Sequence, residues 1–150
     1  MENKETRIIK FRGKRKSDGK FVFGDLRQDL NATVINDQFG HDSTVIPETV
    51  GQFIGKKDNN GKEIYEDDII SINTWYDYIV PDDYVYKYKE EKGIAYYLVK
   101  WDISKCAFYL ELISCTKTTP RAKIIDVSNG HLIVGNLHDN PELINNQNNK

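Results

Sequence analysis

Three histidines, two cysteines and a few clustered carboxylates are the groups best able to do chemistry in this chain. The histidines are His41, His131 and His138, and the cysteines are Cys106 and Cys115. A metal site needs ligands at spacings such as C-x2-C or H-x3-H. No pair meets that requirement. His131 and His138 are separated by the break at Gly135, while Asp42 and Asp139 each neighbour a single histidine. No metal ligand and no cofactor is therefore assigned. Cys106 precedes an apolar run and Cys115 follows it. Neither has an adjacent base or a helix N-terminus that would lower its pKa. On one strand their offset would hold them roughly 30 Å apart, whereas a disulfide needs Cα atoms within about 7 Å. Two buried, reduced thiols are expected. Glu66-Asp67-Asp68 and Asp82-Asp83 are adjacent carboxylates. Neighbours on a strand point to opposite faces, which makes them a poor acid/base pair. No G-x-S-x-G element is present, and Gly51 and Gly55 lack the Lys-Ser/Thr of a phosphate loop. No catalytic residue is assigned, and the chain reads as a binding protein rather than an enzyme.

Charge offers a different chemistry. The 150 residues carry a formal net charge of −2, unevenly spread. Residues 1–20 hold eight Lys/Arg against three acids, a net +5, and the remainder holds 13 against 20, a net −7. Lys10, Arg12, Lys14, Arg15 and Lys16 form a basic stretch able to meet phosphates. This is the basis of the alternative reading, a nucleic-acid-binding accessory protein. A second feature is aromatic. Residues 75–92 contain Trp75, Tyr76, Tyr78, Tyr84, Tyr86 and Tyr88. Stacking on bases would want a basic setting, yet this segment is acidic, with five acids against three lysines. Exposed Tyr and Trp suit a protein interface better. Tyr76, Tyr78, Tyr84, Tyr86 and Tyr88 are the candidate interface residues. Their alternation fits an interface and packing on the chain's own barrel equally well.

The elements that must carry these groups are strands. Asp18-Gly19, Asn60-Gly61 and Asn129-Gly130 lie between apolar runs and suit type I′ hairpins, with φ > 0 at both residues. Ile9 and Phe11 alternate with Lys10 and Arg12, which predicts one apolar and one wet face, and Gly24-Asp25 breaks the strand that follows the turn. Further β-like runs are Thr33–Asn36, Thr44–Ile46, Val50–Ile54, Ile69–Thr74, Ala95–Trp101, Ala107–Ile113, Lys123–Val127 and His131–Val134. Helical turns are expected at Asp139–Leu143, with Pro141 at its first position, and at Glu63–Asp68. The fold class is all-β, a small barrel/sandwich mixture of short antiparallel strands with one or two short helical turns. Pro81 favours an edge or loop, and 75–92 reads as an arm inserted between two strands. The expected organisation is an N-terminal β lobe at 1–60, a barrel-like C-terminal lobe at 61–145 containing that arm, and a polar tail at 146–150. No apolar run of about 18 residues is present to span a bilayer, and the charged N-terminus is unlike a secretory signal.

Several motifs together resemble one family. They run from Ile9-Lys10-Phe11-Arg12 through Val45–Gly55, Lys57-Asp58 and Asn60–Glu66 to Asp68-Ile69-Ile70. They continue with Val99-Lys100-Trp101-Asp102 and end with Gly135–Leu143. This pattern resembles the YopX family of bacteriophage and prophage proteins. The resemblance implies a mostly β fold and oligomers, and supplies no mechanism, because the family's biochemical role is uncharacterised. Two positions depart from it. Asp67 stands where the family commonly has Gly, and Asp is tolerated in the left-handed region, so the turn is expected to survive. Gly13-Lys14-Arg15-Lys16 replaces an aromatic and makes this N-terminus more basic. The reading that results is a phage or prophage accessory protein, cytoplasmic in a bacterial host. It is non-enzymatic and homo-oligomeric, with a further host or phage protein as a possible partner and no membrane association.

Overall fold

A computed structural model describes residues 6–81, 86–115, 123–124 and 131–145, with side chains placed outside 74–92, 123–124 and 145. The chain divides into two compact units, Met1–Lys57 with Glu63–Glu66, and Asp58–Lys62 with Asp67–Lys150.

The first unit is built on a six-stranded antiparallel sheet. Its strands are β1 (Phe11–Lys14), β2 (Phe21–Gln28), β3 (Thr33–Asn36), β4 (Asp42–Thr44), β5 (Gly51–Lys57) and β6 (Glu63–Tyr65), in the order β4-β3-β2-β1-β5-β6. A 3₁₀ turn at Pro47–Thr49 joins β4 to β5. Val34, Ile35, Val45, Phe53, Ile64 and Tyr65 are buried. Gly24 does not end β2 as expected. It is the point where β2 changes partner, pairing with β1 through Gly24 and with β3 from Asp25 onward. A methyl group at Gly24 would overlap the carbonyl oxygen of Asn36, so glycine permits the two strands to approach here.

The expected wet face of β1 is also inverted. Arg12 is buried, whereas Ile9 is exposed. The guanidinium carbon of Arg12 lies 4.7 Å from the Phe21 ring centroid and 5.1 Å from that of Tyr65, and Nη2 donates to the Glu66 carbonyl at 3.0 Å. Arginine is more weakly hydrated than lysine and stacks on aromatic faces, which lets it occupy a core position.

The second unit is a five-stranded sheet. It contains β7 (Asp68–Pro81), β8 (Tyr86–Asp102), β9 (Ala107–Cys115), β10 (Lys123–Ile124) and β11 (His131–Asn136), ordered β10-β7-β8-β9 with β11 also on β7. β7 and β8 pair antiparallel from Ile69↔Leu98 out to Pro81↔Tyr86. The predicted arm is thus the outer part of one long hairpin. Ile69, Leu98 and Ile113 form a buried cluster on which Tyr96, Leu137 and Ile144 pack. Leu137 and Ile144 come from the Gly135–Leu143 motif and the short helix α1 (Glu142–Asn145) that ends it. This segment lies on a sheet face and does not cap a barrel. Both sheets are open among the described residues, so the fold is all-β with no closed barrel. Register irregularities between Phe53/Lys57, Tyr96/Tyr97 and Ile133/Gly135 bend the ladders without closing them.

The turns differ from the predicted type. Gly19 and Gly61 have φ of 71° and 81°, but Asp18 and Asn60 do not have positive φ. At the second tip, the Gly61 N–H donates to the Asp58 carbonyl and the Asp58 N–H to the Lys62 carbonyl. Asp58 Oδ1 accepts from the amides of Asn60 and Lys62, and Oδ2 accepts from Ile133. A buried aspartate fastening its own turn selects a type I tip with a left-handed glycine after it. Asn129-Gly130 lies outside the described residues. The helical turn expected at Glu63–Asp68 is instead β6, a tight turn, and the start of β7. Asp67 in that turn has φ 66°, the left-handed geometry expected of a residue standing in for glycine.

Gly24→Ala is expected to destabilise by about 4 kcal/mol, because β2 and β3 must separate. Gly19→Ala, with open space around its Cβ, should cost only about 1 kcal/mol of left-handed strain. Denaturant melts of the two variants check the ordering.

Candidate functional site

The outer strand β9 offers the best-formed candidate surface. Among the described residues it has a neighbour on one side only, β8. The register sets Tyr97 opposite Leu112, Val99 opposite Leu110 and Trp101 opposite Phe108. These share one face of the sheet by alternation. On β8 that face is closed: Val99 is 0% exposed and Tyr97 7%. One strand outward it is open, with Leu110 at 37% and Leu112 at 50%. Trp101 is also exposed, and its ring meets Phe108 edge-to-face at a centroid separation of 4.9 Å. Trp101 on β8 and Phe108, Leu110 and Leu112 on β9 therefore form an apolar row that reaches water beside a strand with one neighbour among the described residues. Edges of this kind are templates for pairing with another chain.

The opposite face of the same ladder holds the buried Leu98 and, farther out, Lys100, Tyr109 and Glu111. Lys100 and Glu111 pair at 2.6 Å. The carboxylate of Glu111 raises the Lys100 pKa, principally by accepting its hydrogen bond and also by its charge, against the lowering effect of burial.

The turn that aims β9 depends on Asp102. Its Oδ1 accepts from the Ser104 amide at 2.9 Å, the Ser104 hydroxyl at 2.6 Å and the Lys105 amide at 3.3 Å. The Ser104 hydroxyl bond is the largest cause of a lowered Asp102 pKa, and the two amides and Lys105 reinforce it against desolvation. Cys106 closes the turn at φ 49°. It is exposed and Cys115 is half-buried, which corrects the expectation of two buried thiols. Cys106 is held out by a turn conformation that points away from the core, and Cys115 ends an edge strand.

The five basic candidates do not form one open face. Arg12 is buried. Lys10 pairs with Glu63 at 2.8 Å, and this bond, with help from the Tyr65 hydroxyl, holds the Glu63 pKa below its ordinary value. Arg15 pairs with Asp18 at 2.7 Å, lowering the Asp18 pKa to about 2. Lys14 has its Nζ 5.6 Å from the Phe21 centroid, and Lys16 is exposed. The backbones of Tyr76, Tyr78, Tyr86 and Tyr88 lie in β7 and β8, with Tyr78 opposite Lys89 and Ile79 opposite Tyr88. Their side chains, and Tyr84 altogether, lie outside the described residues. His138 Nε2 meets Asp67 Oδ2 at 3.0 Å, and His41 Nδ1 meets Asp37 Oδ2 at 3.2 Å. Among the described residues no three His, Cys, Asp or Glu side chains gather in a way that could hold a metal.

The apolar row on β9 was hidden in the sequence. Phe108, Tyr109, Leu110, Leu112 and Ile113 put apolar groups on both faces, so alternation could not mark an exposed one. The length of the run identifies a strand, and its position at an edge follows only from the sheet order.

Asp102→Ala should free the Ser104 and Lys105 amides, raising their hydrogen-exchange rates by roughly tenfold. Exchange at Tyr97–Val99 should stay slow. The Asp102 pKa is lower folded than unfolded, so its contribution is complete above the ordinary carboxylate pKa. It is lost as pH falls through the depressed folded value. In the wild type, protection of these amides should therefore survive mild acid and fail only below the ordinary carboxylate range.

A family model described as YopX protein matches residues 10–145. No curated protein matches. Among solved structures, the crystal structure of protein EF1440 from Enterococcus faecalis is similar at 17% identity, covering 93% of this chain and 99% of that one with a TM-score of 0.44. Among the described residues no helix is long and apolar enough to cross a membrane. The matched span takes in β1 through α1, and the chain belongs to the YopX family.

Proposed function

We propose that this chain is a non-enzymatic accessory protein of a phage or prophage, acting in the cytoplasm of its bacterial host by binding. Self-association is its first mode, and a further host or phage protein is its downstream partner. The observation that carries this reading is the apolar row exposed on β9, a strand with one neighbour among the described residues. The sheet face is closed at Val99 and Tyr97 and open at Leu110 and Leu112. Covering such a row removes apolar area from water at about 25 cal/mol per Å², and the free edge supplies backbone hydrogen bonds in register. The β7–β8 ladder continues outward to Pro81 and Tyr86, and the sequence of 75–92 is rich in Tyr and contains Trp75, residue types enriched where proteins meet.

Sedimentation velocity across the micromolar range tests this. The expected outcome is a concentration-dependent rise in sedimentation coefficient, with oligomer predominating at high micromolar concentration. A monomer throughout would remove self-association.

A further inference from the structure

We infer that one face of the first sheet binds single-stranded nucleic acid, with an unpaired base stacked on Phe23 and the flanking phosphates on Lys14, Lys16 and Lys57. The inference goes beyond the self-association proposed above and does not rest on it, because these residues lie in the first unit and β9 in the second.

The register builds the face. Arg12 pairs with Phe23 and Lys14 with Phe21. Residues paired across antiparallel strands share a side, as do residues two apart on one strand. The Phe53 amide donates to the Lys10 carbonyl, and Phe53 pairs with Tyr65, which extends the same side onto β5 and β6. Phe53 and Tyr65 are buried. Phe23 is set edge-to-face on Tyr65 at a centroid separation of 5.4 Å and stays 46% exposed. Arg12, lodged against Phe21 and Tyr65, holds the rings in place and is itself buried. Phe23 is thus an exposed ring whose orientation is fixed by its neighbours. In a duplex each base is covered by the bases stacked on it, so an unpaired base is the kind that can lie on such a ring.

Charge selects a polyanion over an apolar peptide. Lys14 stands beside Phe21, with Nζ 5.6 Å from the ring centroid. Lys16 is exposed two residues farther along, and Lys57 is exposed opposite Glu63. Glu63 is already bound by Lys10. Asp25, the next acid along β2, lies beyond Gly24, where β2 leaves β1 for β3. Cations therefore remain in excess around the exposed ring. A stacking ring set among cations is the combination that holds single strands. The acidic 75–92 segment fails this requirement, and the β1–β2 face meets it.

Fluorescence anisotropy at low salt tests the site in the full chain, with labelled oligo(dT) and oligo(rU) of about 16 nucleotides, the upper site size of one stacking fold. Both should bind, and a duplex of the same length should bind at least tenfold more weakly. Tighter binding of oligo(rU) assigns the site to RNA through its 2′-hydroxyl; tighter binding of oligo(dT) assigns it to DNA, and either outcome supports it. Phe23→Leu keeps the apolar packing and removes the ring, so it should weaken binding roughly tenfold, whereas Phe23→Tyr should retain it. Lys14→Gln with Lys16→Gln should flatten the slope of log K against log salt by roughly 1.4, at about 0.7 per cation on a single strand. Each variant should keep a cooperative thermal transition. The site is overturned if neither oligonucleotide binds, if inorganic polyphosphate or the duplex binds as tightly, if Phe23→Leu retains full affinity, or if the salt slope is unchanged in the lysine variant. Sedimentation reads self-association separately, so failure here leaves that reading standing, and a monomeric wild type leaves this one standing.

Discussion

Strand β8 can be buried on both faces, and the second unit depends on that. Ala95, Tyr97 and Val99 are buried on one side and Leu98 on the other. A strand of this kind cannot be a surface element, because water on either face would expose a continuous apolar run. It needs neighbours on both sides for its backbone groups, and it has them in β7 and β9. Leu98 belongs to the cluster with Ile69 and Ile113 on which Leu137 and Ile144 pack. The C-terminal motif therefore has a mechanical purpose, which explains a run of residues with no visible chemistry. Gly135 allows the fold-back, since a Cβ there would stand 2.6 Å from Asn140 Oδ1.

Several aspartates serve the same need to finish backbone hydrogen bonds; of the carboxylate runs weighed for acid/base work, Asp82-Asp83 lies outside the described residues. Asp58 accepts from three amides and Asp102 from two amides and a hydroxyl. For Asp58, burial raises the pKa, but the amides of Lys62, Ile133 and Asn60, helped by the charge of Lys62, outweigh it and leave the group ionised below its ordinary range. Asp67 combines a left-handed backbone with a bond to His138, and its amide and carbonyl join Val99 and Leu137. Asp102 ends β8, whereas Asp58 follows β5 and Asp67 precedes β7 in the turns beside them.

Strand positions were legible because length and β-branched content mark them whatever their burial. The run Thr33–Asn36 matches β3 at both ends, and the runs for β9 and β11 match within two residues, whereas Ile69–Thr74 and Ala95–Trp101 cover only the inner parts of β7 and β8, whose pairing continues outward to Pro81 and Tyr86. The left-handed turn at Asp67 follows from the family resemblance, which has glycine there, together with the tolerance of Asp for that geometry. What alternation could not show was the sign of a face. Arg12 was assigned to water because arginine is charged, although its flat, weakly hydrated head fits between Phe21 and Tyr65. Gly24 was assigned to a break because glycine often ends strands, although here it admits the Asn36 carbonyl. Both errors share a cause: each residue answers to a partner distant in sequence, and local pattern carries no information about distant partners. The apolar row of β9 escaped for the same reason.

Glu111 gives the edge its particular character. Proteins blunt exposed edges with inward charges, bulges or very short strands. Here the exposed apolar row is long, and the one acid among Ala107–Ile113 lies on the opposite face, paired with Lys100. A charge so placed does not prevent docking by the apolar face. The irregularity between Leu112 and Ser114 interrupts the ladder with β8 near the end of the row. An edge that rejected all partners would carry its charge within the row, and an edge open to any partner would carry none. On β9 the charge is present but lies off the row, held by Lys100, so the apolar row itself stays uncharged.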